Sequence, residues 1–159
     1  MWIFRPATGA EAKPEAIEIL LMRRSAGRIL AGLWQCVSGS LETGESVAAG
    51  ALRELREETG FAGETLERFF HLDQVNQFYE PSVNGILTSA VFAVRVPAGR
   101  EPDLSAEHDA MRWASPAAAL EIVIWPAYRE SIGRIERDLV DPDRAAWFRL
   151  GLDGRRPAG

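Results

Sequence analysis

Cysteine and long apolar runs are nearly absent from this sequence. The single cysteine, Cys36, cannot form an internal disulfide, and without a CxxC motif or a His/Cys pairing the chain offers no thiolate zinc site. We therefore interpret Cys36 as a small buried hydrophobic residue. No run of about 18 apolar residues is present, which argues against a membrane-spanning helix. The opening MWIFRPATGAEAKPEA lacks the basic-then-apolar order of a secretory signal, so we expect a cytoplasmic protein.

An excess of positive charge is also absent. The chain carries 18 Lys and Arg residues against 23 Asp and Glu residues, which gives a formal net charge of -5 at pH 7. Such a chain does not bind nucleic acid or an anionic membrane through a general basic surface, and we expect neither as a partner. If the ligand is an anion, a metal ion must mediate its binding. With 159 residues and 47% hydrophobic content, we expect a single domain over residues 1–159.

Five segments have the composition of strands. The predicted strands are AIEILLMRR, WQCV, LERFFHLDQVNQFY, GILTSAVFAVRV and DAMRWA, that is residues 16–24, 34–37, 66–79, 85–96 and 109–114. Pro81 and the pair Asn84-Gly85 supply turn chemistry between the third and fourth strands, which predicts a hairpin. Residues 7–15 and the closing GLDGRRPAG are rich in Gly, Pro and charge, and we expect both to be peripheral.

Helices are predicted between and after these strands. The first covers residues 47–59, with Ser46 as its N-cap and Gly60 at its C-terminal end. SPAAALEIV begins with Ser115 as N-cap and Pro116 at the first helical position, and WPAYRESIGRIERDLV has the apolar spacing of a C-terminal helix. Strands on either side of one central helix favour an α/β layered sandwich on a mixed sheet.

The stretch RELREETG, residues 53–60, crowds like charges onto one side of the first helix. At roughly 100° per residue, Glu54, Glu57 and Glu58 fall within one sector of the helix surface. The pair Glu54 and Glu58 costs an isolated helix a few tenths of a kcal/mol, which Arg53 offsets only in part. A bound cation would remove this penalty.

The carboxylates belong to a longer pattern of fixed spacing. Gly39, Glu45, Arg53-Glu54-Leu55, Glu57-Glu58 and Gly60-Phe61 are separated by five, seven, one and one residues. This stretch, GSLETGESVAAGALRELREETGF, resembles the Nudix box of the Nudix hydrolases and covers 23 of the 159 residues. The resemblance implies a Nudix-type α/β/α sandwich. It also implies a divalent-metal hydrolase that cleaves a diphosphate linked to another group, usually a nucleoside, by attack of water on phosphorus.

The resemblance assigns the metal ligands. Glu54, Glu57 and Glu58 match the family's carboxylate ligands, and Gly39, next to Ser38, lies where the family supplies a backbone carbonyl. Mg²⁺ is the expected ion, with Mn²⁺ as an alternative, because hard cations take oxygen ligands. The alternative for the three carboxylates is an ordinary solvated helix face.

Supporting roles follow from the same resemblance. Arg53 and Glu45 match positions where an ion pair between loop and helix aims the ligand carboxylates. Arg53 is therefore expected to act in catalysis together with Glu54 and Glu57, although it equally fits a plain surface partner of Glu57. Gly44, Gly50 and Gly60 are interpreted as turn, packing and cap residues.

The general base is not fixed by the box. Glu107, in LSAEHDAMRW, is the candidate for a further metal ligand or base, because an acidic residue before the strand that contains Trp113 resembles some triphosphate-cleaving members. A solvated loop carboxylate remains the alternative for Glu107. For His108 and His71 we favour structural roles.

Substrate-binding candidates lie mainly ahead of the box. LWQCVSGSLETGES resembles the approach to the box in nucleoside triphosphate and dihydroneopterin triphosphate pyrophosphohydrolases. Trp34 would stack on a base or pterin ring beside Gln35, and the alternative is a core residue, since a large aromatic residue on a strand is more often buried. Arg23, at the end of a strand with Arg24, is a candidate for phosphate contact, with an ordinary exposed arginine at a strand end as the alternative. Tyr79 lies at about the spacing where dinucleoside polyphosphate hydrolases carry a tyrosine.

Three functions remain open at this point. The leading one is release of pyrophosphate from a nucleoside or pterin triphosphate, with a small-molecule nucleotide as partner. The second is hydrolysis of a dinucleoside polyphosphate or an ADP-ribose-type diphosphate. The third is a non-catalytic nucleotide-sensing module, against which the intact box argues. The chain fits a monomer or a homodimer, and AAWFRL fits either a dimer interface or the core.

Overall fold

Seven strands are present in the computed structural model, which describes residues 1–9, 13 and 15–157. They are β1 (Trp2–Pro6), β2 (Ile17–Arg24), β3 (Trp34–Gln35), β4 (Arg68–Glu80), β5 (Gly85–Arg95), β6 (His108–Ala114) and β7 (Arg149–Leu150). The helices are α1 (Val47–Thr59), α2 (Pro116–Ile122), α3 (Pro126–Arg134) and α4 (Pro142–Ala145). None of these described helices has the length and apolar content needed to cross a membrane.

The strands form one mixed sheet, as predicted. Its order is β3-β2-β1-β5-β4-β7, with β6 paired to β2. β1 lies parallel to β5, whereas its pairing with β2 and the pairing of β4 with β5 are antiparallel. β3 pairs with β2 at Met22 and Arg23, beyond the N-terminal end of β1. β1 is too short to extend between β3 and the first half of β5, so these two strands flank a space in the sheet.

Both faces of the sheet are covered by helices. Leu55 of α1 packs with Ile3, Leu20 and Val94 on one face. The other face packs against α2 and α3 and includes Ile132. Alternation along β1 sends Trp2 and Phe4 to this second face and Ile3 to the first, as the strand repeat requires. This is the expected α/β/α sandwich.

Local signals placed α1 and the hairpin correctly. The Ser46 hydroxyl accepts from the N–H of Ala49, and Gly60 ends α1 with a φ of 71°, as predicted for the two caps. Asn84, at φ 48°, lies in the turn between β4 and β5. The predicted strand at 34–37 is shorter in the structure, and Cys36 is buried as expected. Burial raises the pKa of its thiol.

The ends of the chain differ from expectation. Residues 1–6 were not predicted to be a strand, yet β1 lies near the middle of the sheet. The closing segment is mostly exposed, as expected of a peripheral segment, although Gly154 lies close to Ala48 of α1. In AAWFRL, Phe148 packs against the core whereas Trp147 is 73% exposed. The predicted last helix, 125–140, is α3 followed by a π-helical turn at Ile135–Leu139. Residues 10–12 and 14 of the predicted peripheral segment 7–15, and residues 158 and 159 of the closing segment, lie outside the described residues.

Candidate active site

The site is built on the loop before α1 and on one side of that helix. The helix places Leu55 in the core, and its neighbours Glu54 and Glu58 turn toward the loop that contains Ser38 and Gly39. Glu57, half exposed, lies one turn from Arg53 and is the most accessible of the three carboxylates. The predicted cluster therefore shares one side of α1.

Gly39 makes room for the Glu54 carboxylate. A Cβ atom added at Gly39 would lie 1.9 Å from the carboxylate carbon of Glu54, far inside van der Waals contact. Only glycine lets the backbone and this carboxylate lie so close together. The structure therefore brings the backbone at Gly39, the predicted source of a carbonyl ligand, into contact with the predicted metal ligand Glu54. Gly50 is a packing residue as expected, since a Cβ there would meet Leu41 at 2.5 Å.

Arg53 and Glu45 form the predicted ion pair between helix and loop. Arg53 Nε lies 3.1 Å from Glu45 Oε1, and Nη2 lies 3.2 Å from Oε2, so the contact is bidentate. Nη2 also donates to the carbonyl of Ser40 at 2.9 Å. The guanidinium lowers the pKa of Glu45 below its usual range. The pair fixes the loop against α1.

The remaining nitrogen of Arg53 binds two of the clustered carboxylates. Nη1 donates to Glu54 Oε1 at 3.0 Å and to Glu57 Oε2 at 3.1 Å. The two alternatives for Arg53 are thus combined in one side chain, which is both the partner of Glu57 and the link to Glu45. One guanidinium therefore aligns three carboxylates and offsets their mutual repulsion.

Glu58 is the buried member of the cluster, at 4% exposure. Its Oε1 accepts from the N–H of Ser38 at 3.4 Å, and its Oε2 has no hydrogen-bond partner among the described residues. Burial raises the pKa of Glu58 to about 7. A buried carboxylate with an unpartnered oxygen costs stability unless a cation or a donor satisfies it.

His108 borders this buried carboxylate. Its Nε2 lies 3.7 Å from Glu58 Oε2 and 3.3 Å from the Gln35 amide nitrogen, and both His108 and Gln35 are buried. Burial lowers the pKa of His108, which favours the neutral ring. Gln35 therefore lies behind the cluster rather than on an open substrate surface. His71 packs against Phe148 at a ring distance of 5.6 Å, in line with its expected structural role.

Glu107 is brought to the edge of the cluster by its loop. The N–H of Ser105 donates to the carbonyl of Glu58 at 3.1 Å, so the loop is bound to the C-terminal end of α1. The Glu107 carboxylate itself lies 3.7 Å from Arg24 Nη1 and 3.6 Å from Arg28 Nη1. In the described residues its charged partners are thus two arginines and not the carboxylates of α1.

Trp34 belongs to a second part of the site, on the other face of the sheet. It packs against the core cluster that α2 and α3 cover. The guanidinium carbons of Arg23 and Arg112 each lie 5.9 Å from the centre of its ring, and Arg23 also binds Asp109 at 2.6 Å. Sequence reasoning missed Arg112, because only the pairing of β6 with β2 brings it beside Trp34. Its one sequence signal is a charge within the short strand DAMRWA.

Tyr79 does not join either group. It lies near the end of the hairpin, more than half exposed, and its hydroxyl donates to Asn84 Oδ1 at 2.9 Å. This position gives no support to a ring contact beside the α1 carboxylates.

The carboxylates do not form a closed metal shell by themselves. Within residues 1–9, 13 and 15–157, no three His, Cys, Asp or Glu side chains converge on a point suited to a metal ion. Arg53 holds Glu54 and Glu57, while Glu58 turns inward. The donor chemistry nevertheless fits a hard cation, since it combines carboxylates, an unpartnered buried oxygen and backbone brought close by Gly39.

Comparisons with known proteins agree with this architecture. The NUDIX domain family model matches residues 4–135. By structure, a Caenorhabditis elegans (C. elegans) Ap4A hydrolase in a binary complex has a TM-score of 0.68 at 21% identity, covering 86% of this chain and 92% of that one. The E. coli dihydroneopterin triphosphate pyrophosphohydrolase has a TM-score of 0.64 at 23% identity, covering 84% and 92%. Fold and box together define the Nudix type of α/β/α sandwich.

Two relatives are also similar in sequence. An octanoyltransferase from Myxococcus xanthus is 38% identical over 122 residues, which are 76% of this chain and 32% of that protein. The chain thus spans about a third of the length of this relative. The CTP pyrophosphohydrolase of Escherichia coli (strain K12) is 33% identical over 121 residues, which are 69% of this chain and 76% of that protein. The chain belongs to the NUDIX domain family.

Proposed function

We propose that this chain is a Mg²⁺-dependent hydrolase that converts a nucleoside or pterin triphosphate to a monophosphate and pyrophosphate. The observation that carries the proposal is the arrangement of Glu54 and Glu57 on Arg53, beside the unpartnered oxygen of Glu58. The similarity to a CTP pyrophosphohydrolase supports a nucleoside triphosphate as the substrate. Mn²⁺ would serve as an alternative ion.

Each residue of the site has a distinct role in this reaction. Glu54, Glu57, Glu58 and the backbone at Gly39 would hold the divalent ion, which supplies charge neutralisation for the phosphates and activation of water when bound. Arg53 and Glu45 keep Glu54 and Glu57 aligned. Water forms its new bond to phosphorus as the bridging P–O bond breaks, and pyrophosphate leaves. Glu57, the most exposed of the cluster, and Glu107 are the candidates for accepting the proton of the water.

The ring of the substrate would bind on the opposite face of the sheet. Trp34 offers a flat surface there, and the guanidinium carbons of Arg23 and Arg112 each lie 5.9 Å from the centre of its ring. In this proposal the substrate would reach from this surface to the carboxylates of α1 beyond the end of β1, between β3 and β5. Stacking accepts several ring systems, so we expect broad specificity among triphosphates.

Phosphorus NMR of products tests the proposal. The substrates are CTP, dATP, dihydroneopterin triphosphate, a dinucleoside tetraphosphate and ADP-ribose, each with Mg²⁺. Pyrophosphate release from the triphosphates should be fastest. Faster turnover of either of the last two would replace the substrate class. Tight nucleotide binding without any product would favour the sensing module.

A further inference from the structure

Positive charge gathers at one end of the β2–β6 pair, although the chain has a net charge of -5. Arg24 and Arg28 meet there at Glu107, whereas Arg23 and Arg112 lie beside Trp34 on the other face of the sheet. In the described part of the chain the carboxylate partner of Arg24 and Arg28 is Glu107. Two positive charges against one negative charge make the surroundings of Glu107 a local site of attraction for anions.

Arg24 and Arg28 have N–H groups without a hydrogen-bond acceptor among the described residues. Both face Glu107, at 3.7 and 3.6 Å, distances too long for hydrogen bonds. Arg24 Nε donates to the carbonyl of Ile29 at 2.9 Å. Over residues 15–157 and the other described positions, the remaining nitrogens of Arg24 and the whole guanidinium of Arg28 have no hydrogen-bond acceptor. Two guanidinium groups therefore share one loosely held carboxylate.

This pair lies next to the carboxylates of α1. Glu107 precedes His108, whose Nε2 lies 3.7 Å from Glu58. The N–H of Ser25, between the two arginines in sequence, donates to the carbonyl of Glu107 at 2.8 Å, so the turn after β2 is bound to the same loop. The two arginines thus border the α1 site where the loop that carries Glu107 meets it.

We propose that Arg24 and Arg28 bind the terminal phosphates of a nucleoside triphosphate and thereby select triphosphates over diphosphates, an inference that rests on the proposed function. Guanidinium groups present paired N–H donors that match phosphate oxygens, and they stay charged at all working pH values. The incoming phosphates take the place of Glu107, which releases its two long ion pairs.

Binding of inorganic tripolyphosphate in EDTA, measured by calorimetry, tests the site without metal and without turnover. Wild-type protein should bind it, and Arg24→Gln and Arg28→Gln should each weaken binding about tenfold, the effect of one lost charge-assisted hydrogen bond. Glu107→Gln should tighten binding, because it frees both guanidinium groups. Arg56→Gln, which removes the same charge from another side of α1, should leave binding unchanged.

Kinetics with CTP and CDP supply the second readout. In Arg28→Gln the ratio of kcat/KM for CTP to that for CDP should fall about tenfold through KM, with kcat nearly constant. Unchanged tripolyphosphate binding in both arginine variants, or an equal loss in Arg56→Gln, would overturn the arginine site while pyrophosphate release continued. A wild-type protein that binds tripolyphosphate but releases no pyrophosphate would instead overturn the proposed function.

Discussion

At the scale of single residues, Arg53 explains how α1 tolerates three like charges. Its guanidinium contacts Glu45, Glu54 and Glu57 at distances of 3.0 to 3.2 Å, so each carboxylate has a cationic partner. Glu58 lacks such a partner and is buried instead. The cluster is therefore stabilised at two carboxylates and destabilised at the third. The three carboxylates should respond differently to neutralisation.

Replacing Glu57 with Gln should abolish most turnover and leave the fold intact. Glu57 is half exposed, and its contact in the folded chain is an ion pair with Arg53, so little stability is at stake. We expect kcat with Mg²⁺ to fall at least 100-fold, about 2.7 kcal/mol in the barrier, with an unchanged Tm. Glu42→Gln is the control, since Glu42 is a more exposed carboxylate 3.9 Å from Arg53. Wild-type turnover in Glu57→Gln would exclude the assignment.

Replacing Glu58 with Gln should stabilise the metal-free protein at alkaline pH. The pKa of Glu58 is raised from 4.5 to about 7, so the folded chain prefers the protonated form, and stability is lost as pH rises from about 4.5 to 7. The stability lost over this pH range is about 3 kcal/mol. In EDTA, urea unfolding should show the variant to be more stable at pH 8 and similar at pH 4.5.

The same variant should lose its response to metal. Mg²⁺ should raise the Tm of wild-type protein at pH 8, because the ion binds the folded state only. It should raise the Tm of Glu58→Gln much less. A stability difference that does not change with pH, or an undiminished metal response, would show that Glu58 is an ordinary buried polar residue.

Gly39→Ala should displace the Glu54 carboxylate. The added Cβ would overlap the end of a flexible side chain, which can move away at little cost in stability. Its alignment on Arg53 would then be lost. We expect kcat to fall at least tenfold, about 1.4 kcal/mol, while Tm changes little. Ser40→Ala, one residue further along the loop, keeps the backbone and serves as control. Equal activity of the two variants would show that the close approach has no catalytic role.

At the scale of elements, the loop between β5 and β6 connects the sheet with the site. Arg5 of β1 is buried, binds Glu18 and Glu101 at 2.9 Å each, and lies 3.9 Å from the ring of Trp113. Glu101 also accepts from the Trp113 indole N–H at 3.0 Å. These contacts fix the start of the loop, and its bonds to the end of α1 fix the part that leads to Glu107.

Glu107→Gln should lower kcat more than it changes KM, if its carboxylate accepts the proton of water or completes the metal shell. A loss of at least tenfold, about 1.4 kcal/mol, is expected. Arg28→Gln keeps this carboxylate and removes a partner 3.6 Å away, so it should change KM instead. Steady-state kinetics on both variants separate the two effects. An unchanged kcat in Glu107→Gln would return Glu107 to the role of a solvated loop carboxylate.

At the scale of the whole molecule, features set by neighbouring residues were predicted from the sequence, whereas features set by the pairing of distant strands were missed. α1 begins after Ser46 and ends at Gly60, as predicted, because an N-cap and a glycine in the left-handed conformation depend on neighbouring residues in the sequence. β1 was missed because its residues become a strand only through pairing with β2 and β5, and its burial on both faces removes the alternating pattern. Arg112 was missed for the same reason, since only the register of β6 against β2 brings it beside Trp34. The box residues were predictable because their spacing is local.

The return of the chain to α1 gives the last prediction. Gly154 has a φ of 76°, and a Cβ there would lie 2.4 Å from the Cβ of Ala48, so Gly154→Ala combines backbone strain with a clash against the helix that carries the carboxylates. Gly99, at φ 75° with nothing within 4 Å, shares only the strain. We expect Gly99→Ala to cost about 1 kcal/mol in the free energy of unfolding, and Gly154→Ala about 1–3 kcal/mol more, measured by urea unfolding. Equal losses in the two variants would mean that the closing segment leaves α1 without destabilising the sandwich.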